Sequence, residues 1–328
     1  MKAVLCRTFG PPSGLVLEDV PAPQPGPGEM LIRVAACAVN FADTLMIQGK
    51  YQTRPDLPFS PGGEVAGTVA ALGPGVAGPP PGSSVLAMTS HGGFAELAVA
   101  RADAVVPVPE GVEPVAAAAL SYAYGTAFHA LRDRGGLQPG EMVLVLGAAG
   151  GTGLAAVRLA KLLGARVIAA ASGDRLETCH QAGADALLDY RQEGWRDRLR
   201  ELTHGRGVDL VYDPVGGPYA EPALRSMAWG GRYLVIGFAA GEIPRIPLNL
   251  TLLKGCAILG VFYGSFAKRE PEANRALMGQ LLAWVREGRL RPWISATYPL
   301  AQAPVALEAL LSRRATGKIV VVMEPART

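Results

Sequence analysis

The spacing of apolar positions divides the chain into two kinds of stretch. In the first 120 residues, short β-compatible runs (Met1–Arg7, Met30–Ala38, Gly67–Leu72, Val85–Met88, Phe94–Val99 and Ala104–Val108) are punctuated by Pro and Gly clusters. The segments PAPQPGPG (Pro21–Gly28) and GPGVAGPPPG (Gly73–Gly82) fit neither a helix nor a central strand. Strand-like runs resume directly on either side of them, so both are read as loops inside one β domain. From Pro114 to Leu131 the period changes: Val115, Ala118, Ala119, Tyr122, Ala127 and Leu131 recur every three or four residues, which predicts a helix leading into a second domain. Beyond it, strands over Met142–Leu146, Arg166–Ala171, Ala186–Leu188, Asp209–Tyr212, Arg232–Ile236 and Ala257–Val261 alternate with helical patterns around 154–163, 175–182, 195–203 and 218–228. Alternation of that kind predicts a parallel sheet wound on both faces. The tail adds a helix (Pro271–Glu287), a short strand (Ile294–Tyr298), a helix (Pro304–Arg313) and a closing strand, Lys318–Met323, expected to return to the β domain.

Within the second stretch, MVLVLGAAGGTGLAAVRLAKLLGARVIAAAS (Met142–Ser172) carries the most specific chemistry. An apolar run ends in glycines at 147, 150, 151 and 153, a helical pattern follows, and a second apolar run closes the unit. Glycines there let backbone amides approach a pyrophosphate at a helix N-terminus, and the strand–turn–helix–strand setting is what such a motif requires. A dinucleotide cradle is therefore expected; the plainer reading is a tight turn that binds nothing. Chains selective for NAD place a carboxylate about 20 residues beyond the glycines. Here Ala171, Ser172 and Gly173 occupy that point, followed by Asp174 and Arg175. Arg175 offers a planar cationic fork to a 2′-phosphate, so NADP(H) is the expected cofactor, with Asp174 read as the N-cap of a helix starting near Arg175.

Composition narrows the field. A chain of 328 residues with 49% hydrophobic content has room for two domains with real cores. The net charge is only +3 and the basic residues are scattered, so neither a nucleic-acid partner nor a membrane surface is expected. The opening MKAVLCRTFG lacks an apolar signal core and no run approaches the ~20 apolar residues of a membrane span, so a cytoplasmic location is expected. Cys6, Cys37, Cys179 and Cys256 lie far apart, in no metal-ligand spacing, and fit reduced thiols filling core space.

Six segments, PGPGEMLIRV, NFADTLMIQGKY (Asn40–Tyr51), PGGEVAG (Pro61–Gly67), LGAAGGTGLAAVRLAKLLGA, YDPVGG (Tyr212–Gly217) and RATGKIVV (Arg314–Val321), together resemble the medium-chain dehydrogenase/reductases, within them the zeta-crystallin-like NADPH:quinone oxidoreductases. The resemblance runs over essentially the whole chain. It implies an α/β protein with a GroES-like β-rich catalytic domain (1–122, completed by 264–328) and a Rossmann domain (123–263), the active site lying in the cleft between them. Zinc-dependent members carry a ligand Cys where Asn40 stands, a ligand His where Gly63 stands, and a four-cysteine lobe that has no counterpart here. No metal is therefore expected.

Matched residue by residue, the resemblance places Asn40, Asp43 and Tyr51 at the catalytic end, with Asn40 and Tyr51 donating to a developing oxyanion. Read without the resemblance, Asn40 and Asp43 are turn and helix-cap residues. Gly150, Gly151 and Thr152 would hold the pyrophosphate, and Ser172, Arg175 and Tyr190 the 2′-phosphate region, although Tyr190 also fits ordinary strand-end packing. Val215, Phe238 and Phe262 would border the nicotinamide, Thr126 would lie near that ring or its ribose, and Arg314 would face the cofactor. Some bacterial relatives have Tyr where this chain has Leu45, which implies a more apolar pocket here. Without a Lewis acid, hydride transfer to an activated acceptor is the expected reaction: a quinone or an α,β-unsaturated carbonyl as the small-molecule partner. Reduction of an enoyl thioester and NADPH binding without turnover are the alternatives. The resemblance also implies a homodimer joined through Rossmann sheet edges, with Ala257–Val261 as the apolar candidate edge.

Overall fold

A computed structural model describes residues 1–312 and 315–323. Two compact units divide them, Met1–Tyr122 with the segment from Ser265 onward, and Ala123–Gly264. The first unit opens with the antiparallel pair β1 (Lys2–Leu5) and β2 (Val16–Asp19). It continues with β3 (Glu29–Val39), β4 (Glu64–Leu72), β5 (Ser84–Met88), β6 (Leu97–Arg101) and β7 (Val105–Pro107). The second unit holds β8 (Met142–Leu146), β9 (Arg166–Ala171), β10 (Ala186–Asp189), β11 (Val208–Asp213), β12 (Met227–Val235) and β13 (Ala257–Gly260). The chain then returns to the first unit with helix Pro271–Arg286, β14 (Ile294–Pro299), helix Ala303–Leu311 and β15 (Lys318–Val322).

In the first unit the main sheet runs β14-β15-β3-β4-β5-β7, with β6 on β3. Strand β3 is its spine, antiparallel to β4, β6 and β15, and it is buried along almost its whole length. Its side chains Met30, Ile32 and Val34 join Val65, Val85, Phe94, Leu307 and Val321 in one core. Closing strand β15 pairs Ile319 with Val39 and Val322 with Ala36, so the tail does return to the β domain.

In the second unit all strands are parallel, in the order β10-β9-β8-β11-β12-β13. That is the doubly wound order, and it reverses direction between β8 and β11, the point at which such sheets open a crevice beyond their carboxyl ends. Strand β8 reads as an unbroken apolar run because it is central and covered on both faces. Helix Gly151–Leu162 buries Leu154, Val157 and Leu159, the face predicted from their spacing.

Several local expectations are adjusted. The predicted helix over 114–131 is helical to Arg134, but 120–125 and 129–134 wind more widely, with i→i+5 bonding. Strand β2 and the helices Asn249–Lys254 and Tyr263–Arg269 have no counterpart among the predicted elements. Each is short, and none shows a sustained apolar period.

Candidate active site

The glycine turn is built by backbone. After β8 the chain turns at Gly147, whose φ of +58° is open mainly to glycine. Gly150 N–H closes the turn onto Gly147 O at 3.0 Å, and Ala148 N–H donates to Ala170 O at 3.0 Å, tying the turn to β9. A Cβ on Gly153 would lie 2.3 Å from Gly147 O, so the first turn of the helix packs against the loop as only glycine permits. Gly150 is the N-cap and supplies no side chain, so the amides of Gly151, Thr152 and Gly153 have no capping side chain. Such an arrangement can receive an anionic group: backbone donors and the positive end of a twelve-residue helix, at the switch point of the sheet.

Flanking residues fall around the turn. Val215 sits beside it, its Cγ2 2.7 Å from where a Gly147 Cβ would be. The loop bearing Val215 is fixed by buried Asp213, which accepts from Val215 N–H at 2.7 Å and Gly216 N–H at 2.9 Å. Burial pushes the Asp213 carboxyl above its ordinary value. Phe238 packs on Gly216, and the short turn Thr126–Phe128 packs on helix Gly151–Leu162. The Thr152 hydroxyl is held by Tyr212 Oη at 2.5 Å.

At the end of β9, Ser172 is buried and its Oγ accepts from Arg175 Nε at 2.9 Å. Asp174 caps no helix: helix Leu176–Gln181 has Arg175 at its N-cap with no side-chain bond, and exposed Asp174 pairs with Arg191 at 3.4 Å. The N-cap expectation for Asp174 is thus corrected; a turn of 3₁₀ helix over Gly173–Arg175 moves the cap position past it. Tyr190 stacks at a tilt on Tyr219, ring centres 4.4 Å apart, in the packing role its strand-end position allowed. Phe262 is exposed, and Arg314 lies outside the described residues.

The other cluster belongs to the first unit and is built by side chains from four distant segments. Asn40 precedes the helix Phe41–Met46, and Asp43 reaches back to accept the Asn40 N–H at 2.7 Å, so the cap reading holds for this pair. Asp43 is 2% exposed and also accepts Gly62 N–H at 3.3 Å. Burial raises its pKa from 3.8 to about 7 against the opposing pull of those two amides and the Lys318 ammonium. Glu64, the first residue of β4, and Lys318, the first of β15, form an ion pair at 3.1 Å with side chains 1% and 4% exposed. Glu64 Oε1 accepts the Tyr122 backbone N–H at 2.8 Å.

Asn40 is locked between these two charges. Its Oδ1 accepts from Lys318 Nζ at 2.6 Å, and its Nδ2 donates to Glu64 Oε2 at 3.0 Å and to Ala38 O at 3.3 Å. The amide orientation follows from the charges: carbonyl toward ammonium, amino toward carboxylate. Both Nδ2 hydrogens are therefore engaged, and in this arrangement Asn40 has none to offer an oxyanion. Tyr51 is half-buried beside the core, and burial with the nearby Asp43 carboxylate raises its pKa. Tyr122, which its spacing marked only as one of a helix's apolar positions, enters the same cluster. The hydroxyl lies 2.8 Å from where a Gly63 Cβ would project. Glu64, Lys318 and Tyr122 are thus the residues that the motif reading left out of the site. The available signal was a lone charge opening each of two otherwise apolar strands.

Among the described residues no group of three or more His, Cys, Asp or Glu side chains is placed to hold a metal ion, and no helix is long and apolar enough to cross a membrane.

Comparison with known proteins agrees with both units. Residues 26–110 match the family of alcohol dehydrogenase GroES-like domains, and residues 151–279 the family described as zinc-binding dehydrogenase. The chain is 39% identical to a quinone oxidoreductase-like protein 2 homolog of Nematostella vectensis, covering 98% of this chain and 88% of that one. It is 34% identical to the quinone oxidoreductase of Sus scrofa, covering 98% of each. The solved quinone oxidoreductase of Thermus thermophilus, also crystallised as its complex with NADPH, superposes with a TM-score of 0.84 at 37% identity over 98% of this chain and 100% of that one. A doubly wound sheet with its glycine turn, a GroES-like unit and identity sustained along the full length lead to one assignment: the chain is an oxidoreductase of the medium-chain dehydrogenase/reductase family, grouped with the quinone oxidoreductases.

Proposed function

We propose that this chain is an NADPH-dependent reductase that transfers hydride to a quinone or an α,β-unsaturated carbonyl without zinc. The observation that carries the reading is the glycine cradle at the switch point, followed by a strand that ends in Ser172 and Arg175 instead of a carboxylate. The cradle fits a dinucleotide pyrophosphate: Gly153 admits no Cβ, Gly150 closes the turn, and the amides of Gly151 and Thr152 supply donors where a phosphate would need them. Ser172 and Arg175 would hold the 2′-phosphate, with Tyr190 walling that end. Val215, Phe238 and Phe262 would border the nicotinamide, and Thr126 would lie near that ring or its ribose. Bound there, the reduced dinucleotide supplies a hydride, that is, two electrons and one hydrogen nucleus.

In this reading Asn40, Asp43 and Tyr51 form the acceptor end. Asn40 acts by position, its amide clamped by Lys318 and Glu64 so that the surface beside Asp43 is fixed. Tyr51 donates a hydrogen bond to the acceptor oxygen as negative charge develops on it, and the proton that completes the reduction comes from water. Quinones and enones need no stronger polarisation than such hydrogen bonds. The zinc-free form of the reaction rests on the side chains themselves: Asn40 and Gly63 offer neither thiolate nor imidazole, the donors a zinc ion takes in such sites.

The second unit's sheet ends at β13, beside a run of exposed apolar side chains that includes Trp229, Leu248, Leu252 and Leu253. An apolar, unpaired edge of this kind is a liability in a lone protomer, and a second copy paired along β13 is the proposed cover.

Purified protein should bind NADPH, oxidise it with small quinones or enones, prefer it to NADH, and keep its activity in a chelator. Failure to bind or consume NADPH with any acceptor in a panel of quinones, enones and enoyl thioesters would overturn the reading; activity confined to the thioesters would replace the acceptor class. Sedimentation should give twice the chain mass.

A further inference from the structure

Any carbonyl oxygen brought beside Asn40 and Asp43 needs hydrogen-bond donors, and the local inventory of donors is short. Lys318 has three N–H groups, and all are engaged: by Asn40 Oδ1, by Glu64 Oε2 and by Val39 O at 3.5 Å. Both Asn40 amino hydrogens are on Glu64 and Ala38. The Asn40 and Gly62 backbone N–H groups are on Asp43, and the Tyr122 backbone N–H is on Glu64. Two phenols remain, those of Tyr51 and Tyr122, neither of which has a hydrogen-bond partner among the described residues; the neighbouring Ser121 Oγ is also unpartnered but is sealed from the surface.

Of these, Tyr122 is the better fixed. Its backbone is tied to the buried Glu64 carboxylate, its ring is half-buried, and its hydroxyl fills the space in front of Gly63, where a side chain would collide with it and with Ser90 O at 2.7 Å. Gly63 is therefore glycine for a local reason: a Cβ there would displace the phenol. The hydroxyl feels Asp43, Glu64 and Tyr51, and burial first, then those charges, raise its pKa well above the ordinary value for tyrosine. It stays protonated through neutral pH, a donor and not a phenolate.

Resting on the reductase reading above, we propose that Tyr122 is a further catalytic residue, whose hydroxyl and that of Tyr51 together hold the acceptor's carbonyl oxygen. When hydride adds to a quinone, or to the β-carbon of an enone, the π electrons move onto this oxygen. The two phenols stabilise the resulting anion by hydrogen bonds while keeping their own protons. One proton from water then completes the hydroquinone or the saturated ketone, and the cofactor leaves oxidised by two electrons. A carbonyl oxygen takes two hydrogen bonds in its plane, and the two phenols supply them.

The test is Tyr122→Phe, which removes one unpaired hydroxyl and nothing else. With 1,4-benzoquinone and with cyclohex-2-en-1-one as acceptors, kcat/KM should fall by about 10- to 100-fold, more for the enone because more charge develops on its oxygen. The NADPH dissociation constant, read by fluorescence, and the melting temperature should be unchanged. Binding of 4-nitrophenolate, an oxyanion probe whose absorbance shifts when it is hydrogen-bonded, should weaken in Tyr122→Phe and in Tyr51→Phe alike. Wild-type activity together with unaltered kcat/KM and an unaltered nitrophenolate shift in Tyr122→Phe would overturn the inference. So would a parallel loss of stability and NADPH affinity, which marks a structural role. Should the wild type itself turn over no acceptor, the reductase reading fails, and the nitrophenolate titration alone decides on Tyr122: a shift in wild type that Tyr122→Phe loses supports it, and its absence from both sinks it.

Discussion

The glycine turn of the second unit and the Asn40–Glu64–Lys318 cluster of the first solve opposite problems. The turn brings backbone donors together within the seven residues 147–153 and needs no charge of its own. The cluster buries an ammonium and two carboxyl groups, and it joins residues as far apart as Asn40 and Lys318, 278 positions along the chain. One is held by steric permission, the absence of Cβ atoms; the other by mutual satisfaction of polar groups that would each be costly alone. They should therefore fail differently when perturbed.

The largest effect is expected where a charge loses its partner. Lys318→Met leaves Glu64 without its ion-pair partner in a site 1% exposed and frees Asn40 Oδ1, which should cost about 3–5 kcal/mol in denaturant unfolding. Replacing Glu64 by Gln in the same chain should restore much of that loss, because it removes the orphaned charge. If Lys318→Met unfolds at the wild-type midpoint, the cluster is not held by its charges, and the contrast with the glycine turn collapses.

Next comes the pH response of the same cluster. Asp43 holds its proton in the folded chain up to about pH 7, while the unfolded chain loses it near the ordinary 3.8. Below both values the two states are equally protonated. As pH rises between them the unfolded state alone gains charge, so stability falls, levelling off above the folded value. Wild type should therefore lose stability relative to Asp43→Asn as pH rises from about 4 to about 8. Lys318 and Glu64 are the charged groups that face Asp43. A gap that widens in the other direction would mean that the Lys318 ammonium outweighs burial.

For the turn the sharper experiment is a pair of identical substitutions. Glycine to alanine in an open helix position stabilises by about 0.5–1 kcal/mol, and Gly279, in helix Pro271–Arg286 with nothing near its absent Cβ, should show that gain. Gly153→Ala should instead destabilise by about 1–3 kcal/mol, since the new methyl meets Gly147 O at 2.3 Å, and it should weaken NADPH binding by tenfold or more. Equal behaviour of the two variants would show that close packing does not define the cradle.

This difference in construction also explains what can be read from the amino-acid sequence. Strands β8 and β9 are legible to the residue, because a buried parallel strand, a glycine turn and an amphipathic helix are local signals. Asn40 and Asp43 are reached through the family's motif, yet the partner that occupies Asn40 is not. Lys318 opens an apolar strand far along the chain, and only the antiparallel pairing of β15 with β3 brings it to Asn40. Tyr122 is hidden by its own good periodicity: a tyrosine at a helical apolar position reads as core, and nothing in the spacing says that its hydroxyl fills the space before Gly63. Asp174 is misplaced for a similar reason. A carboxylate just before a helix reads as a cap, and a single turn of 3₁₀ winding sends it to Arg191 instead.

The smallest effect is expected at Arg175, a side chain that serves the backbone-built half. Arg175 lies beyond β9 in the 3₁₀ turn Gly173–Arg175, its Nε bonded to buried Ser172 Oγ at 2.9 Å, which fixes that edge of the guanidinium. A 2′-phosphate meeting that group gains a charge-assisted hydrogen bond that a ribose hydroxyl does not evoke in equal strength. Arg175→Gln should therefore lower NADPH affinity by about tenfold, equivalent to ~1.4 kcal/mol, and leave NADH affinity nearly unchanged. Paired titrations of the two dinucleotides read the ratio directly. If both affinities fall together, Arg175 supports the cradle's shape through Ser172 and does not sense the phosphate, and the second unit would then owe its cofactor choice, like its turn, to backbone alone.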